Sequence, residues 1–331
     1  MSFEKNIDLE KILHKINKLL EPIEKEQMHL QGDDFSFPTI LQIGSPRSGT
    51  TFFTQWMASH GVFSNPTNFL SRFFGAPYLG ALIYEMLVNP KYDYRNEFIE
   101  ITNKVEFKSE IGKTRGFNAP HEFWYFWRNN FSFSEIPVSN EDFLENADFD
   151  SFNRELSLIQ QVFNKPFTLK AHIVNWYLKC VSENMKNAVY IHIPRNPVAN
   201  IRSLMRARKK WTGDINQWFS WKPREYNLIK DMDIYYQVAG QIYFIERTII
   251  EDRKYLGERY LMFSYEDLCN KPEEIYYKVL DKVNHFSKTK ITKAYSGEKE
   301  FVISNPKTEF DDKKIEEAYE YFVHTYGELR F

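Results

Sequence analysis

Gly44-Ser45-Pro46-Arg47-Ser48-Gly49-Thr50-Thr51 gathers in one short run the groups needed to hold an oxyanion. Its small residues let the backbone come close to a charged ligand, Arg47 supplies a permanent cation, and the hydroxyls of Thr50 and Thr51 add donors. A β-prone run, Thr39 to Ile43, precedes this stretch, and a helical pattern from Thr50 to about Ser59 follows it. The free N–H groups and positive dipole end of that helix point at the same anion. A nucleotide kinase or NTPase loop has the same strand, turn and helix setting but needs Lys directly after its second Gly. Here that place is taken by Thr50, and no apolar strand ends in an Asp suited to Mg²⁺. The loop reads as a seat for phosphate without a metal-bridged triphosphate, and no metal site is implied.

A second anion site is spelled out later. The run Ala188 to Ile193 leads into Pro194-Arg195-Asn196-Pro197 and then a helix carrying Arg202, Ser203, Arg206 and Arg208. An Arg at a strand end and a Ser about two helical turns on converge at the sheet edge where α/β proteins bind ligands. Alone, such a segment is an ordinary salt-bridged helix. Together, the two motifs resemble those of the PAPS-dependent sulfotransferase family, PAPS being 3′-phosphoadenosine 5′-phosphosulfate. By that resemblance Arg47, Ser48, Gly49, Thr50 and Thr51 hold the 5′-phosphosulfate, and Arg195 and Ser203 the 3′-phosphate. The likeness extends to Trp218 to Pro223, Gln237 to Gln241 and Ser264 to Leu268, which look like bacterial members of the superfamily. The Arg-Lys-Gly triplet that completes the nucleotide site in cytosolic members is missing, and Ile303 to Lys307 is the segment placed to stand in for it. Trp56 is either an adenine-stacking residue or core.

Sulfuryl transfer needs an in-line acceptor, positive donors on the oxygens that gain charge, and a base for the acceptor proton. The family pattern gives Arg47 the leaving phosphate and Lys170 the transferring group. Lys170-Ala171-His172 resembles the family's Lys-Thr-His element, which makes His172 one candidate base. Glu122 is another, since its run Pro120-His121-Glu122-Phe123-Trp124 sets a carboxylate among aromatics, where desolvation is expected to raise its pKa. His121 is a third, while Asn65 and Asn68 stand where other branches carry a Glu. Most of the Phe123 to Trp127 run must be core, because successive residues on a helix cannot share one face; any remainder, with Tyr92 and Tyr94, can wall an acceptor.

The elements that must position these groups alternate strand and helix. After Thr39 to Ile43 come a strand at Phe167 to Lys170, a helix near Trp176 to Met185, the strand at 188–193, a helix over 198–210, a strand at Tyr260 to Ser264 and a helix from about Asp311 to Tyr326. The pattern predicts an α/β fold with a central parallel β-sheet flanked by helices. We expect a single domain over 1–331, with a helix and lead-in over 1–36 and a large, mostly helical insertion over 61–165 that shapes the acceptor site. Leu9, Ile12, Leu13, Ile16, Leu19 and Leu20 recur at helical spacing, and Pro22 should end that helix. Pro77 to Val88 reads as a buried helix.

With 43 Lys and Arg against 45 Asp and Glu, the formal net charge is -2, so no global field draws the chain to nucleic acid or an anionic membrane. Its two cysteines, Cys180 and Cys269, carry neither a disulfide framework nor a zinc pattern. The charged N-terminus lacks a signal-peptide profile, and a cytoplasmic location is expected. The reading that results is a PAPS-dependent sulfotransferase acting on a hydroxyl or amine of a saccharide or small metabolite. A kinase or NTPase lacks its loop Lys here, and a non-catalytic nucleotide-binding protein on the same fold would have no use for Lys170 and the bases.

Overall fold

The structure, a computed structural model, describes residues 6–30, 35–93, 95, 97, 109–110, 113–304 and 309–331. Helix α1 (Ile7–Leu30) leads into β1 (Thr39–Ile43), α2 (Thr50–Ser59) and α3 (Pro77–Val88). A two-stranded ribbon, β2 (Ser109–Glu110) and β3 (Lys113–Thr114), precedes α4 (Trp124–Asn130), α5 (Asn140–Glu145) and α6 (Phe149–Phe163). Then come β4 (Thr168–Lys170), α7 (Leu178–Asn184), β5 (Ala188–His192), α8 (Pro197–Thr212), α9 (Tyr226–Ile229) and α10 (Ile234–Asp252). The chain closes with β6 (Tyr260–Met262), α11 (Tyr265–Asn270), α12 (Pro272–His285) and α13 (Asp312–Tyr326).

The main sheet is parallel, in the order β4-β1-β5-β6. Ile40 lies between Thr168 on one side and Val189 on the other. Because the chain lays β4 on one side of β1 and then returns to lay β5 on the other, the strand order reverses around β1, the place where open α/β sheets bind ligands. Every residue of β1 is buried, as a central parallel strand covered on both faces requires. The period of two divides its side chains: Leu41 and Ile43 join Leu169 and Tyr190 in one core, while Ile40 joins Val189 and Ile191 in the other. The first core is completed by α4 and α6, through Phe126, Phe152 and Leu156; the second by α2 and α12, through Phe53 and Val279.

Two expectations need correction. Helix α1 runs through Pro22 to Leu30. Pro22 is exposed, and the second half of the helix is anchored by tertiary contacts: Glu24 accepts from Tyr78 N and Leu79 N at 2.7 and 3.1 Å, and Met28 is buried. Those contacts outweigh a proline cost of about 3 kcal/mol. Helix α3 forms as expected but is buried on one face only, through Pro77, Gly80 and Ala81, leaving Leu82 and Met86 exposed. Among the described residues no helix is long and apolar enough to cross a membrane. Gly32, Asp33, Asp34 and Tyr94 lie outside the described residues.

The helical layer over the first core carries a buried carboxylate. Burial pushes Glu155 up to about 8, against a hydrogen bond from Asn130 Nδ2 at 3.0 Å, and Glu24 up to about 7. A folded pKa above the unfolded one means that the folded state binds more protons, so this contribution is complete below about pH 4.5 and is lost as pH rises toward 8. Glu155→Gln keeps the hydrogen bond without the charge. In thermal or urea unfolding the variant is expected to match the parent near pH 4.5 and to exceed it at pH 9 by at least about 1 kcal/mol.

Candidate functional site

The C-terminal edge of the sheet opens into a cleft of about 1030 Å³ that brings together Arg47, Gly49, Thr50, Thr51, Glu122, Lys170, His172 and Arg195. These residues come from the β1 loop, the segment before α4, the end of β4 and the end of β5. The loop is held in an unusual shape. Gly49 precedes α2 at φ 105, and a Cβ there would lie 2.3 Å from Cδ2 of Tyr265, so only glycine fits. Arg47 is itself left-handed at φ 69. Such a backbone costs on the order of 1–3 kcal/mol and persists where its surroundings hold it. Arg195 Nη1 donates to Arg47 O at 3.1 Å, Asn175 Nδ2 to Gly44 O at 2.8 Å, and Asn200 Nδ2 to Ser45 Oγ at 2.7 Å.

Glu246 on α10 lies beneath the loop. Its Oε1 accepts from Ser45 N at 2.9 Å, its Oε2 is 2.7 Å from His192 Nε2, and His192 Nδ1 is 2.7 Å from Tyr260 Oη. Burial alone would raise the Glu246 pKa, but His192 and the bonds from Ser45 hold it below the usual range. None of these partners is signalled locally, because Ser45, His192 and Tyr260 all come from segments of the chain outside α10.

At the anion end, the first backbone bond of α2 runs from Phe53 N to Gly49 O (3.0 Å), so the N–H groups before it have no intrahelical acceptor. Arg47 Nε approaches Ser203 Oγ at 3.4 Å. Burial, with Arg195 and Arg206 nearby, lowers the Arg47 guanidinium to about 10, the mark of a cationic cluster without enough negative charge. Ser48 Oγ and Arg195 Nε are buried without a hydrogen-bond partner among the described residues. Arg195 stacks 4.6 Å over the Tyr265 ring and also donates to Ser304 O, while Ser304 N donates to Tyr265 Oη at 3.2 Å. The segment 301–304 therefore closes over this end, its Phe301 ring 4.9 Å from Phe52; residues 305–307 lie outside the described ones. The donor set suits a phosphorylated nucleotide: backbone N–H groups, two guanidiniums and hydroxyls on one side, aromatic rings on the other. Trp56 takes no part, being 1% exposed in the second core against His60.

In the middle of the cleft, Lys170 Nζ donates to Thr51 Oγ1 at 2.6 Å and pairs with Glu122 Oε1 at 3.3 Å. Glu122 Oε2 accepts from Trp124 Nε1 at 2.7 Å and pairs with Lys113 at 3.3 Å. Burial pushes Glu122 up, as expected from its aromatic setting, but Lys170 and Lys113 outweigh burial and hold it at about 2. The expected rise is thus reversed, since both lysines arrive from outside the run that prompted it. Burial lowers Lys170 in spite of Glu122. Burial and Lys170 lower His172 to about 4; it lines the cleft, but its Nε2 is shut away from solvent with no partner among the described residues. His121 lies outside the cleft lining, its Nδ1 accepting from Phe123 N at 2.9 Å. Asn65 and Asn68 bond backbone carbonyls, and Tyr92 is exposed away from the cleft.

The far half of the cleft is walled by Trp124, Phe133, Trp211, Trp218, Phe219 and Trp221. Phe123, Phe126 and Trp127 are core, as the helical spacing requires. Arg208 braces this wall from behind, 5.2 Å over Trp218, and Arg202 is engaged with Asp312. Lys222 pairs with Glu135 at the mouth. Among the described residues no group of His, Cys, Asp and Glu could hold a metal ion.

Residues 38–285 match the model of the sulfotransferase family. Among solved structures, a sulfotransferase of Mycobacterium tuberculosis H37Rv aligns with TM-score 0.49 and 16% identity over 81% of this chain and 73% of that one. A sulfotransferase of Mycobacterium avium aligns with TM-score 0.47 and 11% identity over 90% and 71%. The sulfotransferase domain from the curacin biosynthetic pathway aligns with TM-score 0.39 and 18% identity over 74% and 73%. The comparison with curated proteins gave no match.

The clamp under the loop yields a measurable expectation. Glu246→Ala leaves His192 and Ser45 N–H buried without their acceptor and should cost about 3–5 kcal/mol in denaturant unfolding. Adding His192→Ala should cost much less than the sum of the two single losses, because the pair acts as one unit.

Proposed function

Because the chain belongs to the sulfotransferase family, we propose that it moves a sulfuryl group from PAPS to a hydroxyl, with the Gly44 to Thr51 loop as the seat of the 5′-phosphosulfate. The observation that carries the reading is the cation-rich anion end: Arg47, lowered by burial and further by Arg195 and Arg206, next to open α2 N–H groups and 3.4 Å from Ser203 Oγ. In this reading Arg195 and Ser203 hold the 3′-phosphate. Tyr265 and Phe301 flank the nucleotide. When bound, PAPS supplies a sulfuryl group on a good leaving group, its 5′-phosphate, so the chain itself needs no covalent nucleophile.

The residues then divide the work. The acceptor hydroxyl bonds to sulfur as the sulfur–oxygen bond to the 5′-phosphate breaks, leaving 3′-phosphoadenosine 5′-phosphate, and the acceptor proton passes to a base. Arg47 and the α2 N–H groups stabilise the charge that grows on the departing phosphate. Lys170, already bonded to Thr51 of the loop, neutralises the oxygens of the transferring group. Glu122 takes the proton: its carboxylate reaches the cleft, whereas Nε2 of His172 does not. Its low pKa keeps it ionised and able to accept at any working pH. An anion that draws Lys170 toward itself loosens that lysine's hold on Glu122 and raises its basicity at the moment of transfer. His172, neutral at pH 7, supports Lys170 without adding a like charge.

Calorimetric titration with 3′-phosphoadenosine 5′-phosphate, with ATP and Mg²⁺ as control, tests the nucleotide site. The bisphosphate should bind and ATP should not, and an Arg195→Ala, Ser203→Ala double variant should lose binding; binding of ATP in its place would overturn the assignment. With labelled PAPS and an accepting alcohol, Glu122→Gln should lower kcat about 10²–10⁴-fold, and His172→Asn less than about tenfold. A Glu122 pKa of about 2 in the free protein places the acid limb of kcat/KM below pH 4, so the profile should be flat from pH 5 to 8.

A further inference from the structure

The far half of the cleft limits what the acceptor can be. Its walls are ring faces, and two of its four indole N–H groups are already engaged: Trp124 Nε1 with Glu122 and Trp218 Nε1 with Ser220 O at 3.2 Å. Trp221 meets Trp124 edge-on at 5.3 Å, and Trp211 stacks on Phe219 at 5.9 Å. The neutral hydrogen-bonding side chains in this half are Ser134 and Ser220. A saccharide carries a hydroxyl on nearly every carbon, and each one buried without a partner costs about 1–3 kcal/mol. The ring faces themselves offer no such partners, and the carboxylates among them are already paired with lysines, whereas a flat apolar body covers the same rings at no such cost.

One cation there has no carboxylate beside it. Lys113 and Lys170 pair with Glu122, and Lys222 with Glu135. Arg128, exposed in the lining one helical turn beyond Trp124 on α4, has no carboxylate partner among the described residues. Residues four apart on a helix have Cβ atoms about 5–6 Å apart, so a group lying along Trp124 from Glu122 reaches Arg128 over the length of about one aromatic ring and a short arm.

Resting on the sulfotransferase reading, we propose that the acceptor is a flat, mainly apolar aryl or ring-fused alcohol bearing one anionic group: its rings lie on Trp124 and Trp221, its hydroxyl faces Glu122, and its anion pairs with Arg128. Arg128 is then a specificity residue, acting by charge on the end of the acceptor remote from the reaction.

The test uses 3-(4-hydroxyphenyl)propionate, its neutral methyl ester, and methyl glucoside and glucuronate as saccharide controls. Each is titrated into the protein saturated with 3′-phosphoadenosine 5′-phosphate, with quenching of tryptophan fluorescence as readout, and each is assayed with labelled PAPS. The free acid should bind and react at least about tenfold better than its ester, a difference of about 1.4 kcal/mol, and both saccharides should lag behind the ester. Arg128→Gln should bring the acid-to-ester ratio close to one; Trp221→Ala should weaken both aryl ligands together. A preference for either saccharide, a ratio that Arg128→Gln does not change, or no aryl binding by the loaded protein overturns the proposal. Failure of the bisphosphate itself to bind instead removes the sulfotransferase reading on which it rests.

Discussion

Glu246, a single buried carboxylate, joins the pieces of chain that build the anion end of the cleft. It sits on α10, takes the N–H of Ser45 from the β1 loop, and takes the imidazole of His192 from β5. Two carboxylate oxygens buried this deeply are tolerable only when both are bonded. The loop, the strand and the helix therefore stand in one relative arrangement. Arg195 follows His192 by a few residues, and Arg47 follows Ser45 by two, so the same clamp sets how far apart the two guanidiniums lie. Burial and this closeness together lower Arg47, so the two guanidiniums stand near one another with too little negative charge between them.

The middle of the cleft follows the same logic with opposite sign. Lys170 would be costly to bury alone, and Glu122 likewise; paired at 3.3 Å, and with Thr51 and Trp124 completing their bonds, they share the site. Thr51 opens α2 after the β1 loop, and Trp124 belongs to the aromatic wall. The pair thus links the two halves of the cleft through two hydrogen bonds.

Much of the scaffold was legible before any coordinates. Thr39 to Ile43 and Ala188 to Ile193 read as strands because short β-prone runs bounded by Gly44 and Pro194 leave little else, and both form within a residue of the expected limits. The helix expected over 198–210 was similarly plain, and it forms as Pro197–Thr212. Where local rules misled, distant contacts were the cause: Pro22 did not stop α1, because Glu24 and Met28 are held by α3 and the core.

The β1 loop could be read from its own residues because the signals that mark it are local: the strand, the turn glycines, Arg47 and the first turn of α2 are contiguous. Composition and spacing alone likewise settled the alternation that makes a parallel sheet. Tertiary structure alone decided the environment of each charge. Glu122 looks from its neighbors like a carboxyl raised by desolvation, and it is lowered because Lys170, 48 residues away, is laid beside it by β4. Tyr265 under Arg195 and the tryptophans that share one wall are likewise brought together from separate segments. A pKa or a binding wall depends on distances through space, and those are set only when the sheet order has brought the strand ends to one edge.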